Sequence, residues 1–329
     1  MEGLSSSRAI RVAPAAWRFL GAPTLASADL QVQCIAVDPR DDQTLYAGTL
    51  GGLYVTRDAG GSWKQPVQGE VIAVALDPRD ADRVYAIVDS QELWRSIDRG
   101  QSFSLVKRFD DLLYSLRFSL YQPGTLYVGF GGYKDPNPSG TFKTADDGVT
   151  WIRQPFGVTG ALIPWSVAED PADGTLYSGT EIADHPQPYH PQLFRSMDFG
   201  QTWTDATGII TWHVVRLGVD RSSHAVYALT EGPGLYRSLD HGQTWSQVAT
   251  NVGLSLAVDP IQSSRLFTGT LVAGVVNGGV FASLEGGVDS VPYGLSGRQV
   301  GDLALNGLST KLYAACFGSG IYVTDLPGQ

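Results

Sequence analysis

Cysteine is scarce in this chain, with Cys34 and Cys316 the two among 329 residues. Two are too few for a disulfide framework, and the reading they support is a pair of buried thiols. Long apolar runs are missing too. None approaches the roughly eighteen residues a spanning helix needs, which argues against membrane insertion. Positive charge is in deficit: 23 Lys and Arg face 33 Asp and Glu, for a net charge of -10. Such a surface repels polyanions at long range, so nucleic acid and anionic membranes are excluded as partners, while neutral and cationic ones remain. The first twenty residues scatter Arg8, Arg11 and Arg18 among small side chains and lack the continuous apolar block of a secretory signal. The expectation is a cytoplasmic protein, or an extracytoplasmic one if a leader has been trimmed ahead of Met1.

Glycine and proline, by contrast, are plentiful at 39 and 18, and with 43% apolar and 17% charged residues they describe a soluble, turn-rich β protein. Length alone leaves one large domain or two. A repeat decides between them. "TRDAGGSW" from Thr56 returns as "RSIDRGQSF" from Arg95, "KTADDGVTW" from Lys143, "RSMDFGQTW" from Arg195 and "RSLDHGQTW" from Arg237. The aspartates Asp58, Asp98, Asp146, Asp198 and Asp240 are spaced by 40, 48, 52 and 42 residues, a period that marks a solenoid or a propeller.

Ahead of each copy the same order recurs. First come stretches such as "CIAVDP", "AVALDP" and "SLAVDP", whose Asp-Pro opens a turn because proline presets φ and aspartate bonds back to the backbone. Then come β-forming stretches such as "TLYAG", "RVYAI" and "TLYVG". Four short strands per unit make a propeller blade. First strands are expected near residues 32, 71, 112, 164, 213, 253 and 300, so the fold class is all-β, a seven-bladed propeller of four-stranded antiparallel blades. A sixth, worn motif stands at "SLEGGVDS" from Ser283, and the seventh blade runs out of chain after three strands. Residues 15–22 are expected to supply its fourth, with Trp17 in the part of Trp63, Trp151, Trp203 and Trp245, and with 1–14 left as a tail. One domain over 15–329 follows, with no exposed sheet edge. Along the first strands, large residues such as Val37, Ile35 and Gln33 alternate with small ones such as Ala36 and Cys34, giving each blade one large and one small face.

The pattern Ser/Thr-x-Asp-x-Gly-x-Ser/Thr-aromatic resembles the Asp-box, or bacterial neuraminidase repeat, and the resemblance covers nearly the whole chain. It implies a hairpin between a blade's third and fourth strands, on the face away from the usual ligand site. The place of His241 is held elsewhere by Ala59, Arg99, Asp147 and Phe199, so the copies preserve no chemistry and the five aspartates are read as structural.

Candidate binding residues therefore belong on the opposite loop face: Asp89 and Glu92 in blade two, Asp135 in blade three, Glu181 and Asp184 in blade four, and Glu231 in blade five. The loop "EIADHPQPYHPQ" adds His185 and His190, and "ITWHVV" brings Trp212 and His213 beside it. Glu181, Asp184, His185 and His190 are metal-ligand types, but their spacing matches no established site, and the reading is no metal and no cofactor. Near the axis, Arg117, Glu169, Arg216 and Asp302 break the large–small alternation, with an Arg117–Glu169 ion pair between blades expected.

Sialidases resemble the chain in its boxes, but the Arg-Ile-Pro signature of that group is absent, and Arg57, Arg95, Arg195 and Arg237 sit beside boxes. Xyloglucan-cleaving endoglucanases resemble it also. They pair two propellers across a cleft, and Leu50 stands where their first blade carries an Asp. Propellers of the photosystem II assembly-factor and sortilin types carry boxes without a catalytic set, and this chain is most similar to them in that respect. The expectation is a non-catalytic scaffold that binds a protein or peptide through the loop face. The alternative is a glycoside hydrolase using paired carboxylates there, with carbohydrate as the partner.

Overall fold

In the computed structural model the described residues are 15–21, 31–132, 139–158, 161–182, 192–232, 234–250, 253–270 and 278–327. The Asp-Pro turns do what their chemistry dictates. Asp38 Oδ1 accepts the Arg40 N–H at 2.9 Å, Asp77, Asp170 and Asp259 accept the amide two residues on in the same way, and so does Asp220, which Arg221 follows. Each such turn ends an inner strand. Seven inner strands result: Val32–Val37, Val71–Leu76, Leu112–Phe118, Leu162–Glu169, Val214–Val219, Ser255–Val258 and Val300–Leu305. Each opens a four-stranded antiparallel sheet, and the described residues contain no helix. The protein is a seven-bladed β-propeller.

The last sheet takes its fourth strand from the other end of the chain. Arg18–Gly21 pairs antiparallel with Gly320–Asp325, Arg18 lying opposite Val323. Trp17 then repeats what the box tryptophans do at the perimeter. Its Nε1 donates to the Tyr293 carbonyl of blade six at 3.0 Å, as Trp245 Nε1 of blade five donates to Ala206 of blade four at 2.8 Å. Trp151 and Trp203 reach back one blade through edge-on contacts with Phe109 and Phe156, each at 5.2 Å between ring centres.

Between the blades, every second strand buries one large ring completely: Tyr46, Tyr85, Tyr127, Tyr177, Tyr227, Phe267 and Tyr313. Burial of each ring contributes about 2–3 kcal/mol from its apolar area. Tyr46 also donates its hydroxyl to the Arg99 carbonyl in the next blade at 2.9 Å, so one side chain both fills and ties the seam. The two cysteines are free and buried. Burial pushes the Cys316 thiol up to about 12 and raises that of Cys34 further, which leaves neither as a nucleophile.

The box is a closed hydrogen-bond unit. Asp58 Oδ1 accepts the Thr56 hydroxyl (2.7 Å) and the Ser62 N–H (2.8 Å), and its Oδ2 accepts the Ser62 hydroxyl (2.7 Å). Asp98, Asp146, Asp198 and Asp240 repeat the arrangement. The turn needs two successive left-handed residues, at φ 54° for His241 and 77° for Gly242, so glycine relieves the second and the first is a non-glycine residue held there by the carboxylate. In the sixth copy the aspartate place is Glu285, and the capping carboxylate comes from Asp289, which accepts the Ser283 hydroxyl and the Glu285 N–H.

Two predictions follow from these elements. A variant lacking residues 1–21 exposes the Gly320–Asp325 edge, and size-exclusion chromatography should find it oligomeric or aggregated rather than as a monomer of unchanged thermal stability. Hydrogen bonds, chiefly from the hydroxyl four residues ahead, hold the Asp58, Asp98 and Asp240 carboxyls down to about 2. A folded value below the unfolded one means stabilisation that is complete above pH ~4 and is lost as pH falls through ~2. Thermal unfolding from pH 5 to 2 should show that loss, and a variant with all three aspartates changed to asparagine should show a shallower slope.

Candidate functional site

The inner strands are not uniform ladders. In six blades the pairing slips one or two residues after the strand begins, between Val32 and Cys34, Val71 and Ala73, Leu113 and Ser115, Ile163 and Ser166, Val214 and Arg216, and Val300 and Asp302. A bulge leaves an unpaired residue and re-aims its side chain. The residues at these slips, Gln33, Ile72, Tyr114, Trp165, Val215 and Gly301, all line a single cavity of about 550 Å³ on the propeller axis, and Leu254 completes the ring from blade six. Each lies five places before its blade's Asp-Pro position. Large–small alternation alone assigns Gln33, Ile72 and Leu254 to packing between blades; the cavity lining corrects that.

Around this ring one group of polar side chains gathers where blades four and five meet. Glu181 is the penultimate residue of the second strand of blade four, Leu176–Ile182, and Glu231 follows Val226–Thr230 in blade five. His213 precedes the inner strand between them. Its Nδ1 lies 3.3 Å from Glu231 Oε2 and 4.0 Å from Glu181 Oε1. The Trp165 indole N–H donates to Glu181 Oε2, and Tyr114 packs edge-on against Trp165 at 5.5 Å. Glu70, held by the Gln33 amide at 2.8 Å, adds a third carboxylate to the lining. Two carboxylate oxygens and an imidazole nitrogen within 4.8 Å of one another form a donor set for a cation, whether an ammonium, a guanidinium or a metal ion.

Further along the channel stand Arg216 and Asp302. Asp302 Oδ2 accepts the Ile35 N–H at 2.9 Å. Burial raises its carboxyl above the usual range, and the Arg216 charge opposes that rise.

Of the residues expected on the loop face, Glu181, His213 and Glu231 meet. Trp212 is half exposed and lies flat against Gly232, where a Cβ would come within 2.1 Å of the indole. Asp184, His185 and His190 lie outside the described residues, as does Asp135. Asp89 does not join the cluster. With Ser90 it forms a tight left-handed hairpin turn, φ 49° and 55°, and its carboxylate accepts the Glu70 N–H at 2.9 Å. Glu92 pairs with Arg108 and accepts the Trp94 indole N–H at 2.8 Å. Glu70, Tyr114 and Trp165 are among the lining residues that sequence reasoning missed, and the signal for the two rings was an aromatic five places before the strand's closing turn.

The Arg117–Glu169 contact pair is not formed among the described residues. Glu169 is completely buried, and its carboxylate accepts the Ser119 hydroxyl at 2.5 Å and the N–H groups of Leu120 and Tyr121 in blade three. Blade three has Ser119 where five of the other blades carry the turn's acid and blade seven has Asn306, and blade four supplies a carboxylate to it. Glu169 reaches Arg117 only as a through-space charge, and neither lines the cavity.

Fold and motif define the class, an Asp-box propeller, and the BNR-Asp box repeat is matched at residues 193–206, in blade four. A xyloglucanase of Hypocrea jecorina (strain QM6a) is 26% identical over 225 residues, covering 54% of this chain and 26% of that protein. The chain therefore spans about a quarter of that relative's length. Among solved structures, the GH74 enzyme of Niastella koreensis superposes with a TM-score of 0.73 at 19% identity, over 93% of this chain and 53% of that one. YCF48 from Cyanidioschyzon merolae gives 0.67 at 14% identity over 95% and 99%, and YCF48 bound to D1 peptide gives 0.66 at 13% over 97% of both chains. At these identities the structural likeness is one of fold.

Removing the Glu169 carboxylate leaves three donors of the blade-three turn without their acceptor. Glu169→Ala should lower stability by about 3 kcal/mol in chemical denaturation, whereas Glu181→Ala, at a part-exposed site, should change it little.

Proposed function

We propose that this propeller is a binding module that takes a polypeptide segment into its axial cavity, with a Lys or Arg side chain seated against Glu181, Glu231 and His213. The observation that carries this reading is the composition of the cavity: Glu70, Glu181, Glu231 and Asp302 face one arginine, and Tyr114, Trp165 and Phe317 supply aromatic walls. Carboxylates hold a guanidinium or ammonium by charge-assisted hydrogen bonds, and aromatic rings cover its aliphatic stem and attract its charge. A net charge of -10 steers such a segment toward the protein. Support also comes from scale, because YCF48, which has been solved with a peptide, matches this chain from end to end, while the GH74 enzyme is nearly twice as long.

Panning a random peptide library against the protein should enrich sequences with Lys or Arg beside apolar residues; enrichment of acidic sequences, or of none, rejects the reading. For an enriched peptide, Trp165→Ala and Glu231→Gln should each weaken binding about tenfold or more in fluorescence anisotropy, and raising the salt concentration should weaken it further.

One observation favours a second reading. Carboxylate oxygens of Glu181 and Glu231 converge within 4.8 Å, and carboxyl groups about 5–10 Å apart serve glycoside hydrolysis. Release of reducing ends from xyloglucan, abolished in both Glu181→Gln and Glu231→Gln, would support the hydrolase and displace the peptide module.

A further inference from the structure

On the opposite face, the boxes of blades two to five meet the turn that closes the preceding blade's inner strand, and where that turn carries an acid both its oxygens are engaged at most junctions. Asp38 Oδ2 accepts from Arg99 Nε at 2.7 Å, Asp259 Oδ2 from Arg265, and Asp220 Oδ2 from the Ser263 hydroxyl (2.9 Å) and the Ser264 N–H (2.7 Å). Asp170, between blades four and five, differs. Its Oδ1 accepts the Ala172 N–H at 3.0 Å and lies 3.0 Å from His224 Nδ1. Its Oδ2 has no hydrogen-bond partner, although the residue is completely buried.

What faces that oxygen is a second unpartnered buried atom, His241 Nδ1, at 3.7 Å, and the same nitrogen lies 3.7 Å from Asp173 Oδ2. These gaps are too long for hydrogen bonds. They are close to the edge of a tetrahedron around a metal with bonds of about 2.0–2.2 Å, where neighbouring ligands stand roughly 3.3–3.6 Å apart. All three donor atoms lie within 4.8 Å of one another. The side chains of Asp173 and His241 are 46% and 43% exposed, which gives an ion a way in.

From this geometry we propose a divalent transition-metal site, of the Zn²⁺ type, formed by Asp170 and Asp173 of blade four and His241 of blade five. Two carboxylate oxygens and one neutral imidazole nitrogen bind the ion, and solvent completes the coordination. His224 holds Asp170 from the other oxygen, the outer-sphere support such ligands need. The ion staples two blades at a seam where Arg99 does the equivalent work between blades one and two. The site is independent of the cavity on the other face.

The test is calorimetric titration of chelator-treated protein with ZnCl₂, with CoCl₂ in parallel for its visible absorption, which reports ligand geometry. One equivalent of Zn²⁺ should bind and raise the melting temperature. His241→Ala and Asp173→Asn should weaken binding at least about tenfold, while His213→Ala, which dismantles the donor set on the cavity face, should leave it unchanged. The His241 variant keeps its fold, because Ala59 occupies the same place in blade one at φ 52°. No binding by the unaltered protein, binding that survives both His241→Ala and Asp173→Asn, or binding lost in His213→Ala would each overturn the proposal.

Discussion

A carbonyl held at positive φ ties blades two to five each to the one before it. Locking the box aspartate onto its flanking hydroxyls forces the next residue into the left-handed region, and that residue's C=O turns to the preceding blade. There Arg99 accepts from Tyr46 and Arg57, Asp147 from Arg95, Phe199 from Gln154 and His241 from Arg195. Strand register places two of these donors: Arg95 and Arg195 stand one residue before the box on third strands. A local turn preference thus sets the angular spacing of the ring, and the ring sets the cavity. The same turn throws the side chain of that residue across the seam, which is why Arg99 finds Asp38 and Asp41, Asp147 finds Arg83, and Phe199 stacks on Tyr121.

What was legible in the sequence is what is local. Box and Asp-Pro turns make their hydrogen bonds within four residues, so pattern alone places them, and their recurrence at one period places the blades. Closure by Arg18–Gly21 was legible as well, because three strands without a fourth at one end and a box-like tryptophan at the other leave one solution. The worn sixth box hid its logic: Asp289 caps from six residues beyond Ser283, outside the motif's frame.

Non-local assignments fared differently. Glu169 was singled out as an exception on its strand, but parity says which face a side chain leaves and not which backbone it reaches. Its partners lie in the blade-three turn, where Ser119 replaces an acid. Glu181, His213 and Glu231 were named singly from three segments, and their meeting depends on the spacing between blades four and five. The bulges were invisible, since a one-residue slip leaves no mark in an apolar strand, and with them went the cavity lining by Tyr114 and Trp165.

The slips have an evolutionary consequence. Seven positions, one per blade, form a ring around the axis, and at six of them the residue stands outside the ladder that holds its strand. Their identities in this chain run from glycine through glutamine to tryptophan without altering the scaffold around them. Replacing any of them leaves the backbone pairing of its neighbours intact, so the lining of the cavity can drift by point changes at these places while foldability is conserved. The ring is an alphabet of seven letters written on a page that does not change.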